Sequence, residues 1–390
     1  MSRPVYLDYA ASAPLRPEAV AAEGAYRALP CAAANPNSLH TLGRQAATEL
    51  ERARRSVARS LGGGFRPADV VFTGGGTEAD NLAVIGMAEG ARERDRGRTR
   101  VVLSAIEHDA VLDLVAPLKQ RGFAVSLGSP GRDGRVTGDA VAELLDPDVA
   151  LVSVMAANNE TGAVQPVREL GDAAHRAGAL FHVDAIQAFG RVPLDLASAD
   201  AVSVAGHKIG APVGTAFLAL RARAPFWPQA FGGGQERGVR PGTQDVAGAV
   251  ALAAAVQTVC QHLEATRATV AERARRLEDR LCSVEGVEPS VTLPWEHRLP
   301  GIVSVLVDGL ESEGLVLALD QAGYEVSAGS ACSSGSLEPS HVLTAMGIPR
   351  DRAFGSLRIS FDERVPEEDL ERFSEAFAEV VTRLRSRERR

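Results

Sequence analysis

Between Asp69 and Leu220 short apolar runs alternate with longer stretches in which apolar residues return at helical spacing. DVVF, RVVLS, FAVSL, ALVSVM, LFHVD and AVSV each read as a strand, and turns and amphipathic helices fill the segments between them. This alternation predicts an α/β fold with a mostly parallel sheet and right-handed crossovers. Ligands of such sheets gather at the carboxyl ends of the strands, so a site is expected along the turns that follow them.

The flanks have a different texture. YLDYAASAPLRPE is a brief strand-like run followed by prolines, which suits an extended arm over residues 1–18. NPNSLHTLGRQAATELERARRSVARSLGG gives a turn, a cap and a long helix closed by glycines, with Asn35 and His40 supplying turn and capping chemistry. FGGGQERGVRPGTQDVAG reads as a polar loop that meets something anionic. The helical pattern from Gln244 to Val284 is too long for one globular helix and predicts a break near Gln261. A large domain over 19–260 and a smaller α+β domain over 261–390 follow. The smaller one is built from GIVSVLVDGL, a helix from Glu311 to Ala322, LRISF and a last amphipathic helix.

Composition narrows the function. With 390 residues, 45% of them hydrophobic, the chain can bury a large core. A net charge of -8 offers no electrostatic case for nucleic acid. MSRPVYLDYAASAP has no apolar signal core and no later stretch is apolar for long enough to span a membrane, so a soluble, cytoplasmic protein is expected. Cys31, Cys260, Cys282 and Cys332 show neither CxxC spacing nor a histidine-rich setting, which predicts no metal site and no disulfide framework. Cys260 and Cys282 fall in a helical pattern and read as small core residues; Cys31, after Pro30, carries no assignment.

The candidate chemistry centres on FHVDAIQAFG and the later SVAGHK. Of 42 basic residues only Lys119 and Lys208 are lysine. A deprotonated lysine amine condenses with an aldehyde, whereas a guanidinium stays charged and inert. Lys119 precedes a glycine late in a helical pattern and reads as a solvated helix end. Lys208 follows the AVSV strand, where a site is expected. Asp184 ends another strand; such an aspartate is a helix cap or, in pyridoxal phosphate (PLP) enzymes, the partner of the pyridinium nitrogen. Its distance of one helix-and-strand unit from Lys208 favours the second.

Other turns add to this. FTGGGTEAD places backbone amides and the Thr77 hydroxyl at a helix start, which suits a phosphate. It lacks a P-loop lysine and the dinucleotide spacing, which disfavours a nucleotide. His108, after Glu107 at a strand end, is either a helix-start residue or a ring that stacks on a planar cofactor and exchanges protons. Asn158, Asn159 and Glu160 occupy the turn after ALVSVM. Cys332 lies in SAGSACSSGSLEP, whose small residues have little to pack; a mobile loop and a nucleophilic thiol are expected there.

Together YLDYAAS, FTGGGTEADNLA, EHDAVLD, NNETGAVQP, HVDAIQAFG, GHK, ERGVRPGT and SAGSACSSGSLEPSHVL resemble the cysteine desulfurases, PLP enzymes of the class V aminotransferase group. The resemblance spans nearly the whole chain and implies the PLP fold type I architecture, with the long cysteine loop of the branch serving iron–sulfur assembly and tRNA thiolation. It implies that Lys208 holds PLP, that Asp184 pairs with the ring nitrogen and that Gln187 hydrogen-bonds the phenolic oxygen. His108 would stack on the ring with Asn158 beside it. Gly76, Thr77 and His207 would hold the phosphate, joined by Thr243 from the partner subunit of a homodimer. Arg358, with Asn158, would take the carboxylate of L-cysteine, and Cys332 would accept the sulfur and pass it to an acceptor protein.

The chain departs from the family at Ala205, usually a serine, at IGAPVG after the lysine, and at NPNS in the early turn. These departures predict an effect on cofactor affinity before chemistry. A selenocysteine lyase or aminotransferase on the same scaffold is the nearest rival. From another class, an idle sulfur carrier or a nucleotide-binding module would give colourless protein.

Overall fold

The alternation after Asp69 becomes one seven-stranded sheet in a computed structural model that describes residues 4–329 and 338–388. The arm supplies β1 (Val5–Tyr6), followed by α1 (Pro17–Arg27) and α2 (Thr41–Leu61). His40 caps α2, its Nδ1 accepting from the Gly43 amide at 3.2 Å, and Asn35 folds the preceding turn by accepting from Asn37 N at 2.9 Å.

The sheet region runs β2 (Val70–Thr73), α3 (Gly76–Arg94), β3 (Arg100–Ser104), α4 (Asp109–Leu112), α5 (Val115–Gln120) and β4 (Ala124–Gly128). It continues through α6 (Gly138–Ala142), β5 (Val149–Met155), α7 (Val167–Arg176), β6 (Leu180–Asp184), β7 (Ala201–Ala205) and β8 (Ala216–Leu220). The strand order is β2-β8-β7-β6-β5-β3-β4. β8 is antiparallel to both neighbours and every other pair is parallel. The predicted helix-and-strand rhythm therefore ends early: no helix lies between β6 and β7, so Asp184 and Lys208 are separated by turns and one strand and not by a helix-and-strand unit, and β8 returns antiparallel. An antiparallel return needs no crossover helix, so β7 and β8 are joined by a short 3-10 turn, Gly206–Lys208, and a few residues more. All of β5, β7 and β8 is buried, because helices cover both faces; this is why those strands are continuously apolar instead of alternating.

After the sheet come α8 (Val246–Gln261), which packs on α1 and α2, and α9 (Leu263–Cys282), bent from α8 by 71° at His262. Then follow β9 (Val287–Pro289), β10 (Ile302–Val307), α10 (Ser312–Gln321), β11 (Tyr324–Glu325), β12 (Ser327–Ala328), α11 (His341–Ala345), α12 (Arg350–Ala353), β13 (Ser356–Ser360) and α13 (Glu367–Glu388). β12-β13-β10-β9 form an antiparallel sheet with α9, α10 and α13 against it and a core that includes Val270, Val305, Ile359 and Phe373. Among the described residues no single helix is long and apolar enough to cross a membrane.

The arm links this second sheet to the first. Val5 pairs with Tyr324 in parallel, and Leu7 and Tyr9 are buried in the second core. Further on, Ala13 N donates to His207 O at 2.9 Å and Arg16 N to Gly210 O at 2.8 Å. The intervening backbone, Ala10 and Ala11, is thereby laid across the turn that carries Lys208.

Candidate active site

The Lys208 amine is held by that arm. Its Nζ donates to Ala10 O at 2.6 Å and to Ala11 O at 2.9 Å. Gln187, buried in the turn after β6, donates from Nε2 to the same Ala10 oxygen at 2.8 Å. One carbonyl thus collects the amine of Lys208 and the amide of Gln187, from the ends of adjacent strands β7 and β6.

Asp184 closes β6 next to them. Its Oδ1 accepts from Ile186 N at 2.8 Å, so it also shapes its own turn. Burial pushes its carboxyl up to about 6 against the pull of Lys208. Other buried acids share this raised state. Burial pushes Glu107 up to about 8, and burial and then the Asp184 charge push Asp80 well above the usual carboxylate range. Glu107 Oε1 accepts from Met155 N at 2.7 Å and from the Ser104 hydroxyl, while its Oε2 has no partner among the described residues. His182 lies between Ser153 Oγ at 2.8 Å and Ser203 Oγ at 2.9 Å, and burial drives it down to about 3, which keeps it neutral.

His108 caps α4: its Nδ1 accepts from Ala110 N at 3.0 Å. An acceptor Nδ1 puts the proton of the neutral ring on Nε2. Burial and then the Lys208 charge lower its pKa, which favours the neutral ring. Asn158 builds its turn. Its Oδ1 accepts from Glu160 N and Thr161 N, each at 2.9 Å, and its Nδ2 donates to Ile106 O at 3.1 Å, tying the turn after β5 to the segment bearing His108.

α3 begins at Gly76, after the glycine-rich turn, with Thr77 exposed beside it. A Cβ on Gly76 would stand 2.4 Å from Ile186 Cδ1 and 3.2 Å from the Ala205 Cβ, so only glycine lets the helix start approach the sheet this closely. Ala205 itself faces that helix start. His207 lies near, its Nδ1 3.3 Å from Ser12 Oγ and its pKa lowered to about 4 by burial and then by Lys208 and Arg191.

From the second sheet comes Arg358, fully buried, with Nη2 on Asp8 Oδ1 at 2.8 Å and Nη1 on Asn159 O at 3.1 Å. Its Nε has no partner among the described residues. Thr243 is exposed in the glycine-rich loop. The sulfur-accepting role given to Cys332 falls outside the described residues. Further along the chain, Ser340 Oγ donates to Glu160 Oε2 at 2.5 Å and His341 Nε2 to Glu107 O at 3.0 Å.

Absent from the sequence reading were the Ala10 carbonyl, the buried Asp80 with His182 Nε2 at 3.7 Å from its Oδ1, and Arg191, which donates from Nη1 to Gln187 Oε1 at 2.7 Å. A carbonyl leaves no trace in side-chain patterns. Arg191 does leave one, since it stands four residues after Gln187 in a turn.

The class-V aminotransferase family profile matches residues 5–373. An IscS-like cysteine desulfurase of Mycobacterium tuberculosis (strain ATCC 25618 / H37Rv) is 42% identical, with 97% of both chains covered. The cysteine desulfurase NifS of Azotobacter vinelandii is 38% identical over 90% of this chain and 87% of that one. Among solved structures, a NifS-like protein superposes with a TM-score of 0.85 at 32% identity, covering 97% of this chain and 99% of that one. A further structure, SspA in complex with cysteine, gives a TM-score of 0.77 at 29% identity, covering 92% and 98%. Geometry, profile and relatives agree over the length of the chain, which belongs to the class-V aminotransferases and, within them, to the cysteine desulfurases.

Proposed function

We propose that the chain carries PLP on Lys208 and converts L-cysteine to L-alanine, with the sulfur passing to Cys332 as a persulfide for delivery to an iron–sulfur scaffold or a tRNA-thiolating enzyme. The observation that carries this reading is the convergence of Lys208 Nζ and Gln187 Nε2 on the Ala10 carbonyl, beside the buried Asp184. An amine, an amide N–H, an acid and a helix start at neighbouring strand ends fit that cofactor's aldehyde, phenolic oxygen, ring nitrogen and phosphate. When bound, PLP supplies a sink for the electron pair left at the substrate carbon.

The residues would then act as follows. Asp184 keeps a proton at the ring nitrogen, a carboxylate buried enough to interact strongly with it. Gly76 and Thr77 backbone amides at the start of α3, with His207, hold the phosphate. Arg358 binds the substrate carboxylate; its unpartnered Nε and its fork geometry suit that anion, with Asn158 ordering the turn beside it. Lys208 removes the proton from the substrate carbon once displaced, and His108 moves protons at Nε2. The Cys332 thiolate takes the substrate sulfur; the new S–S bond replaces the C–S bond, and the carbon gains a proton to leave as alanine. A free thiol ionises near about 8.5, so a proton acceptor near it would help to deprotonate it.

We place the chain in a homodimer in which Thr243 reaches the partner's phosphate site. Leu39, Val213 and Phe231 are 89, 81 and 83% exposed, which is unusual for large apolar side chains. Asn37 Nδ2 donates to Gln244 Oε1 at 2.9 Å and holds the turn bearing Leu39 against the glycine-rich loop.

Borohydride reduction of the native protein followed by peptide mass spectrometry tests the cofactor assignment: a pyridoxyl adduct is expected on Lys208, and Lys208→Ala should be colourless. With radiolabelled cysteine, label should appear on Cys332 and disappear in Cys332→Ala. Full turnover of cysteine by Cys332→Ala would instead point to an aminotransferase or a lyase that needs no acceptor thiol.

A further inference from the structure

We propose that Arg191 is a positioning residue that orients the Gln187 amide so that its NH₂ group, and not its oxygen, faces the cofactor. The inference rests on the PLP reading above. An amide side chain has a donor end and an acceptor end of nearly identical shape. Here each end meets a group able to play one role only. Arg191 Nη1 donates to Oε1 at 2.7 Å, and a guanidinium accepts nothing. Ala10 O accepts from Nε2 at 2.8 Å, and a carbonyl donates nothing. The amide therefore has one permitted orientation.

Arg191 is itself fixed. Its Nη2 donates to Lys208 O at 3.1 Å and to Tyr9 O at 3.4 Å, so the same guanidinium ties Gln187, the main chain of the lysine and the arm. Gly190, at φ +74, turns the chain to bring it there, and a Cβ at that glycine would stand 2.5 Å from Val259 Cγ2. Asp362 and Glu363 after β13, Arg358 on β13 and Arg16 of the arm are the other charges facing it. Burial draws the guanidinium down to about 10, still a cation and a donor at working pH.

The consequence is electronic. An N–H aimed at a phenolic oxygen stabilises its anion, whereas an oxygen in the same place repels it. Without Arg191 the amide loses one of the two partners that separate its orientations, and the only one that holds its oxygen, so the conjugated nitrogen of the bound cofactor should hold its proton to higher pH.

The test is a pH titration of the visible absorbance of purified, cofactor-loaded protein, for wild type, Arg191→Met, Gln187→Ala and the double variant. Each single variant is expected to raise the midpoint by about one pH unit, the worth of one hydrogen bond to a charged oxygen. The double variant should match Gln187→Ala, because Arg191 acts only through the amide. A wild-type midpoint in Arg191→Met, or a shift that adds in full to that of Gln187→Ala, would overturn the proposal even where melting temperature falls. If Arg191→Met does not fold, Arg191→Gln, whose polar end stops short of the Gln187 oxygen, carries the same cycle with the same outcomes. Wild-type protein with no visible band would overturn the cofactor reading and this proposal with it; a band whose midpoint ignores Arg191 would overturn the positioning role alone.

Discussion

Arg54 and Glu236, remote in sequence, meet in a buried two-pronged ion pair: Nη1 to Oε2 at 2.7 Å and Nη2 to Oε1 at 2.8 Å. Phe72 N also donates to Glu236 Oε2, at 3.1 Å, and Arg54 Nη1 to Val70 O, at 2.6 Å. Glu236 and Arg237 hold left-handed backbone angles, φ +47 and +58, that non-glycine residues rarely adopt. The pair therefore bolts the base of the glycine-rich loop bearing Thr243 onto β2 and offsets the strain of its backbone.

Arg54→Met strips the buried Glu236 carboxylate of its salt-bridge partner, whereas after Glu236→Gln Arg54 still holds Glu51 Oε1 at 2.8 Å. Arg54→Met should destabilise the protein by about 3–5 kcal/mol in urea unfolding and Glu236→Gln by less, and the double variant Arg54→Met/Glu236→Gln should cost less than the sum of the two. Additive losses would show that the two side chains do not act as a pair.

The raised carboxyl of Glu107 links stability to pH. The folded state binds its proton up to about 8, whereas an unfolded glutamate releases it near about 4.5. Between those values the folded state holds more protons than the unfolded state, so stability falls as pH rises and levels off above the upper one. Glu107→Gln cannot ionise. Across that window its stability should fall less steeply than wild type, by roughly 1 kcal/mol per pH unit, as read from urea midpoints at several pH values. Parallel pH profiles for the two proteins would rule this out.

Ala205 stands where the family usually places a serine, and its Cβ faces the start of α3. Ala205→Ser adds a hydroxyl beside the proposed phosphate site and should tighten PLP binding by about tenfold, the worth of a hydrogen bond to a charged group. Equilibrium titration of the apo protein with PLP measures this, and kcat at saturating cofactor should not change. Unchanged affinity would mean that the site does not need that donor.

Arg358 Nε is a buried donor without a partner among the described residues, while the rest of its fork holds Asp8 and Asn159 O. Arg358→Lys keeps the charge and loses the fork. KM for cysteine should rise by about 10–100-fold while the bound cofactor's absorbance is retained. A normal KM would remove Arg358 from the carboxylate site.

Much of this was legible in the linear order of residues. The apolar runs marked the sheet, and the rarity of lysine together with the AVSV strand before GHK singled out Lys208. His40 at its cap and the helix break at His262 also lie where local pattern placed such features. The antiparallel β8 was not legible, because a buried strand carries the same apolar run whichever way it points.

Local spacing, then, determined which segments become strands or helices and which side chains could bring chemistry to the strand ends, because periodicity and backbone preference act over a few residues. Only the folded chain decided that Ala10 would offer its carbonyl to Lys208 and Gln187, that Arg191 would close on Gln187, and that Arg54 would find Glu236. Those partnerships arise because a polar atom taken from water must be satisfied by whatever the topology brings beside it. No pattern within a single segment records which distant group that will be.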